Sequence, residues 1–164
     1  MTPSDLVLTR YGVRYLGRTY PCTIGKGGIK SNKREGDGAT PRGTHRIVGM
    51  LYRPDRIAQP NAWAIPIGPN DLWSDDVNDV NYNHYVKRPY LHSHEVLRRS
   101  DPLYDLVIVL DWNWPHAIAG NGSAIFIHQY RRAGYPTEGC IAFRRDHLHE
   151  IAKSVRPKTR LIVA

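Results

Sequence analysis

Cysteine is nearly absent from the chain: Cys22 and Cys140 are the only two among 164 residues. Two cysteines cannot make the multi-bridge framework of a small secreted scaffold. No Cys-x-x-Cys or His-Glu-x-x-His spacing occurs, and the eight histidines are scattered. A zinc site is therefore not expected, and neither is any other metal or cofactor. Long apolar runs are missing too. None approaches the ~20 residues that span a bilayer, so no membrane span is expected. The opening residues, Met1-Thr2-Pro3-Ser4-Asp5-Leu6, hold neither the basic cluster nor the apolar stretch of a secretory signal, which points to the cytoplasm. There are no internal repeats and no low-complexity tracts, which excludes a solenoid. The loop Gly25-Lys26-Gly27-Gly28 lacks the Gly-x-x-x-x-Gly-Lys-Ser/Thr pattern of a phosphate loop. Although the net charge is +8, the basic residues are spread along the chain. With no nucleic-acid motif either, the charge reads as a solvated surface biased towards anionic ligands, and nucleic acid is not an expected partner.

What is present fits one domain over residues 1–164, expected to be a monomer. A chain of this length can bury about 70% of its unfolded surface and needs no covalent staple. Short alternating or apolar runs dominate. Leu6–Leu16 reads as a hairpin punctuated by Gly12, and Thr19–Ile24 as a third strand with Cys22 as a small core residue. His45–Leu51 is a strand, and Tyr104–Leu110 is a continuous apolar run suited to the centre of a sheet. Residues 53–86 carry four prolines and read as an ordered insertion. Its Asp75, Asp76 and Asp79 lack EF-hand spacing and suit turns. Ser93–Arg99 reads as a short helix or an edge strand. One helix stands out, with Asp146 as its expected N-cap, Leu148, Ile151, Ala152 and Val155 on one face, and Pro157 beyond its end. Thr159–Val163 closes the chain as a strand. The fold class is mainly β: an antiparallel sandwich or flattened barrel with one clear helix.

The chemistry gathers in Ser123–Leu148. An apolar run, Ala124-Ile125-Phe126-Ile127, ends in His128. A polar loop follows and closes on Gly139-Cys140, which leads directly into Ile141-Ala142-Phe143. A histidine ending one strand and a cysteine starting the next can be brought together by the loop between them. A thiol with an imidazole in reach is the minimum equipment for cysteine nucleophilic catalysis. Gly139 allows the tight turn that presents backbone N–H groups, as an oxyanion hole requires.

This pattern resembles the L,D-transpeptidase (YkuD-type) catalytic domain. The matching residues are Ile127-His128 and Thr137-Glu138-Gly139-Cys140-Ile141, with a second patch at Gly36-Asp37-Gly38-Ala39-Thr40-Pro41-Arg42-Gly43. The resemblance runs from about Leu6 to Ala164. It implies Cys140 as nucleophile and His128 as general base. The Gln129 backbone carbonyl would orient the imidazole, and the N–H groups of Gly139 and Cys140 would form the oxyanion hole. It also implies a peptidoglycan tetrapeptide stem or muropeptide as partner, attacked between diaminopimelate and terminal D-Ala to give a thioester. Transfer to an amine makes a cross-link; the alternative, hydrolysis, makes a tripeptide, as an L,D-carboxypeptidase does in recycling. Members of the family usually act outside the inner membrane. Arg144, Arg46, His94 and the Lys30–Arg34 cluster are candidate substrate contacts. The chain departs from the family pattern at Glu138, where a histidine is usual, at Gln129, where glycine is frequent, at Ala142, where arginine is common, and in a shorter His-to-Cys loop. All of these spare the nucleophile and base positions. Two other classes stay open: a cysteine peptidase for ordinary peptides, and a non-catalytic module that binds cell wall or nucleic acid.

Overall fold

The computed structural model describes residues 2–164. In chain order the strands are β1 (Leu6–Thr9), β2 (Gly12–Tyr15), β3 (Arg18–Tyr20), β4 (Cys22–Thr23), β5 (Ile29–Lys30), β6 (Thr40–Pro41), β7 (Gly43–Tyr52), β8 (Ile65–Pro66), β9 (Asp71–Ser74), β10 (Tyr85–Lys87), β11 (His94–Val96), β12 (Leu106–Leu110), β13 (Phe126–Gln129) and β14 (Ile141–Phe143). The helix α1 (Arg145–Ser154) and β15 (Arg160–Val163) follow.

The main sheet runs β3-β2-β1-β15-β7-β12-β13-β14-β4, with β8 attached to β7. Its two ends, β3 and β4, are separated in sequence only by Pro21, so the sheet curls back on itself as a nearly closed barrel. The single strand expected over Thr19–Ile24 divides at Pro21, which has no N–H to give a ladder. Most pairs in the sheet are antiparallel, as expected, but the sheet is mixed rather than purely antiparallel. Three of its pairs are parallel: β1 with β15, β13 with β14, and β7 with β8. The connection from β13 to β14 is long enough to carry the chain back to the starting edge, whereas a tight hairpin would have forced an antiparallel pair.

Two apolar layers sandwich the sheet. On one face Ile125, Ile127, Ile141 and Phe143 pack with Met50, Ile108 and the helix residues Leu148, Ile151, Ala152 and Val155. On the other, Phe126, Val107 and Val109 pack with Trp73 and Ile67 from the insertion and with Leu97 just beyond it. The insertion and the segment after it, through β11, thus form a structured cap, a three-stranded sheet in the order β10-β9-β11. Its aspartates shape it: Asp76 accepts the Asn78 N–H, and Asp79 accepts the Asn81 N–H and the Ser74 hydroxyl. Ser93–Arg99 resolves as the edge strand β11.

The helix begins one residue before the expected cap. Arg144 holds the N-cap position without a side-chain cap bond, and Asp146 sits in the first turn. There a carboxylate still complements the helix N-terminus, so a favourable first-turn acid resembled a cap in sequence. No helix among the described residues is long and apolar enough to cross a membrane.

The parallel seam between β1 and β15 is fastened by Asp5, which accepts two hydrogen bonds from Arg160 at 2.9 and 2.7 Å. Those bonds hold the Asp5 carboxyl down at about 2. A depressed carboxyl stabilises the fold above its unfolded pKa of about 4 and loses that contribution as pH falls towards 2. Asp5→Asn should lower the urea midpoint at pH 6, with the gap to wild type narrowing markedly by pH 2.5. An equal gap at both pH values would contradict this linkage.

Candidate active site

The parallel register of β13 and β14 sets the geometry. Ile127 pairs with Ile141 and His128 with Ala142, which places Cys140 level with Phe126. Side chains alternate between faces along a strand. Ile127, Ile141 and Phe143 therefore enter the helix-side core, while Phe126, His128 and Cys140 share the opposite face. His128 and Cys140 both line one cavity of about 590 Å³.

The imidazole is oriented by backbone. His128 Nδ1 lies 2.7 Å from the Gln129 carbonyl oxygen. A carbonyl only accepts, so Nδ1 carries the hydrogen and Nε2 is left as the basic nitrogen. The Tyr104 ring and the imidazole pack edge to face, with centroids 5.3 Å apart and planes at 73°. Burial pushes the His128 pKa down to about 4. Burial also pushes the Cys140 thiol up to about 12, with the Glu95 charge adding to the rise. The resting pair is therefore a neutral thiol and a neutral imidazole, not a thiolate–imidazolium pair.

The thiol is docked on the backbone that leads into β13. Its S–H donates to the Ala124 carbonyl at 3.2 Å, and it accepts the Phe126 N–H at 3.3 Å. Ala124 adopts a left-handed φ of 53°, which is unfavourable for a residue with a Cβ and needs outside support. Asn83 supplies it. This buried side chain accepts the Ala124 N–H at 2.9 Å and the Trp73 indole N–H at 3.0 Å, and donates to the carbonyls of Trp112 and Asn113. Its polar atoms are well satisfied and tie the insertion to the thiol's seat.

The two sequence patches meet behind the cysteine. Thr40 Oγ1 donates to the Gly139 carbonyl at 2.8 Å and accepts the Gly25 N–H at 2.9 Å, both in buried surroundings. Gly139 has φ of 134°, and a Cβ there would lie 2.7 Å from the Ala39 carbonyl oxygen. Only glycine fits that turn. Its N–H donates to Thr137 Oγ1 at 3.2 Å, and that hydroxyl donates to the Cys140 carbonyl at 2.6 Å. Glu138 turns outward to an exposed ion pair with Lys26 at 2.7 Å.

Several anticipated substrate contacts lie elsewhere. Arg144 is exposed and chelated by Asp146. Arg46 is exposed on β7, its N–H bound to Asp111. His94 bonds the His92 carbonyl and packs on Tyr90. Alternation along β11 explains that miss, since the neighbouring Glu95 is the residue that reaches the cavity. From the Lys30–Arg34 cluster, Lys33 is buried against Asp37 and shapes the loop before Thr40. The cavity's own cations are Arg99 and Arg131. Tyr104 and Glu95 carried no sequence signal beyond their type, since the hydroxyl-to-carboxylate bond at 2.5 Å that joins them exists only in the folded chain.

A family model, the L,D-transpeptidase catalytic domain (YkuD), matches residues 4–163. The chain belongs to this family. No curated protein matches it in sequence. The L,D-transpeptidase match spans both sequence patches, so the Thr40–Gly139 link joins two segments of one catalytic-domain pattern.

Replacing Thr40 by valine keeps the shape but strands two buried backbone groups. Thr40→Val should cost about 3 kcal/mol of unfolding free energy, and Thr40→Ser well under half of that; equal losses would show that volume, not hydrogen bonding, matters. With the thiol raised to about 12, alkylation of Cys140 by iodoacetamide in the ligand-free protein should still be accelerating at pH 10. A plateau below pH 8 would mean a preformed thiolate.

Proposed function

We propose that the chain is a cysteine acyltransferase acting on peptidoglycan tetrapeptide stems, with Cys140 as nucleophile and His128 as general base. The observation that carries this reading is the backbone-fixed imidazole: Nδ1 is bound to the Gln129 carbonyl while the ring lines the same cavity as the thiol. Family membership over residues 4–163 supplies the substrate class.

The steps follow from the neutral resting pair. Stem binding expels water, and the Cys140 sulfur attacks the carbonyl of the L-centre of diaminopimelate. The thiol proton passes to His128 Nε2 as the carbon–sulfur bond forms, so no free thiolate is needed. Negative charge on the carbonyl oxygen is met by the Cys140 N–H. The Gly139 N–H, held by Thr137 Oγ1, serves the turn in the resting state. The carbon–nitrogen bond then breaks, and His128 returns the proton to the departing D-Ala amine. The thioester remains on Cys140. An amine from a second stem attacks it, passes a proton to His128, and restores the thiol in a cross-linked product. Water in place of the amine gives a tripeptide. Arg131, which reaches over the Tyr135 ring, and Arg99 offer guanidinium groups to the stem's carboxylates.

Incubating the protein with a disaccharide-tetrapeptide, with and without a D-amino-acid acceptor, should release D-Ala. Incorporated acceptor identifies the transferase, and gain of water alone identifies the carboxypeptidase. Cys140→Ala and His128→Ala should each lower turnover by roughly 10³-fold or more. An unchanged tetrapeptide in both tubes would overturn the reading. Because burial holds His128 near 4, the acid limb of the pH–rate profile should fall below pH 5. A limb centred at 6.5 would indicate a solvated imidazole.

A further inference from the structure

The chain carries a net charge of +8, yet the cavity lined by Cys140 and His128 runs against that balance. Four carboxylates line it, Glu35, Asp75, Glu95 and Glu138, against two guanidiniums, Arg99 and Arg131. Glu138 is paired with Lys26 at the rim. Arg99 is engaged by Asp101, which accepts from its Nε at 2.9 Å and its Nη2 at 2.6 Å. The inner carboxylates therefore have little cationic compensation from the protein itself.

Glu95 is the centre of this imbalance. It is half-buried on β11, and its charge is felt by Cys140. Tyr104 donates its hydroxyl to Oε2, and a carboxylate has capacity for further donors at its second oxygen. Burial pushes the Glu95 carboxyl up; the Tyr104 hydroxyl pulls it back, while Asp75 and Glu35 add to the rise and Arg99 opposes it. A carboxylate so placed gains most when a cation arrives to share its pocket.

We propose that Glu95 is a specificity residue that receives an ammonium group of the acyl donor, the one on the side chain of the residue whose carbonyl Cys140 attacks. Arg99 is stacked 5.1 Å over the Tyr104 ring with its Nε and Nη2 held by Asp101, and it offers its remaining Nη1 to the carboxylate beside that ammonium. The cavity would thus read a zwitterionic amino-acid end group, with one sign of charge from β11 and the other from the segment that follows it. Tyr104 joins the two functions, since its ring packs on His128 and its hydroxyl holds Glu95. The inference rests on the acyltransfer reading for its donor but not for its test.

Two stems serve as probes: a tetrapeptide stem with the side-chain ammonium free, and the same stem with that amine acetylated. Binding is measured by calorimetry on the Cys140→Ala protein, and D-Ala release on the protein with Cys140 intact. The free-ammonium stem should bind at least about 30-fold more tightly, since a site built for a charged donor rejects the analogue lacking it. Glu95→Gln keeps the shape and an acceptor for Tyr104. It should weaken the free stem, leave the acetylated stem unchanged, and shrink the preference to about three-fold or less; Glu95→Asp should restore part of it. Equal binding of both stems, or an equal loss for both in Glu95→Gln, would overturn the proposal. So would a preference seen only after an acceptor amine is added, which would assign Glu95 to the acceptor. Preference in binding without any D-Ala release would defeat the acyltransfer reading alone. Release of D-Ala without preference would defeat the ammonium site alone, and no binding of either stem would defeat both.

Discussion

Everything chemical in this protein depends on the parallel pairing of β13 with β14. The register Ile127 to Ile141 puts His128 and Cys140 on one face of the sheet. A slip of one residue in β14 would turn Cys140 into the helix-side core and bring Ile141 out in its place. That slip is opposed from both sides. Ile127, Ile141 and Phe143 are fully buried against the helix layer, and Phe126 is fully buried under Trp73. The packing that stabilises the barrel thus also fixes the chemistry of its face.

The second constraint is backbone satisfaction around the cysteine. Thr40 joins Gly25 to Gly139, and Asn83 joins the insertion to Ala124. Each removes polar groups from a buried region where an unpaired N–H or C=O would cost about 1–3 kcal/mol. Together they hold the thiol between a left-handed alanine and a glycine turn. The cap is part of the same machinery, because its insertion supplies Asn83 from beneath and β11 supplies Glu95 from the cavity side. Long irregular stretches in compact domains tend to be functional, and here the function is to complete the cavity wall.

Much of this was legible in sequence. The apolar run ending in His128 and the Gly139-Cys140 turn stood out by residue type, and twelve positions of separation sufficed to predict their meeting. The helix face was legible because its period is local. The direction of pairing was not, since the same two runs could have lain antiparallel had the loop turned tightly. Glu95 was hidden by its neighbour: His94 looked more chemical, but strand alternation sent it away from the cavity. Arg144 and Arg46 attracted notice by charge, yet both are exposed and spoken for by Asp146 and by strand geometry. Asn83 and Tyr104 gave no signal because their importance lies wholly in long-range hydrogen bonds and ring contacts.

Burial leaves the thiol and imidazole neutral at rest. In the acyltransfer proposed for this site, the substrate therefore has to release the reactivity, which would keep the cysteine quiet towards passing electrophiles and couple proton transfer to docking of the correct acyl group. In the proposed reaction the stem is carried as a thioester on Cys140. Acid-quenching the protein within seconds of mixing with a tetrapeptide stem would trap this species for intact-mass measurement and peptide mapping. The expected adduct equals the stem less D-Ala, is confined to the peptide containing Cys140 and is absent from His128→Ala. Release of D-Ala without an adduct at any time, and unimpaired in Cys140→Ala, would contradict the proposed reaction.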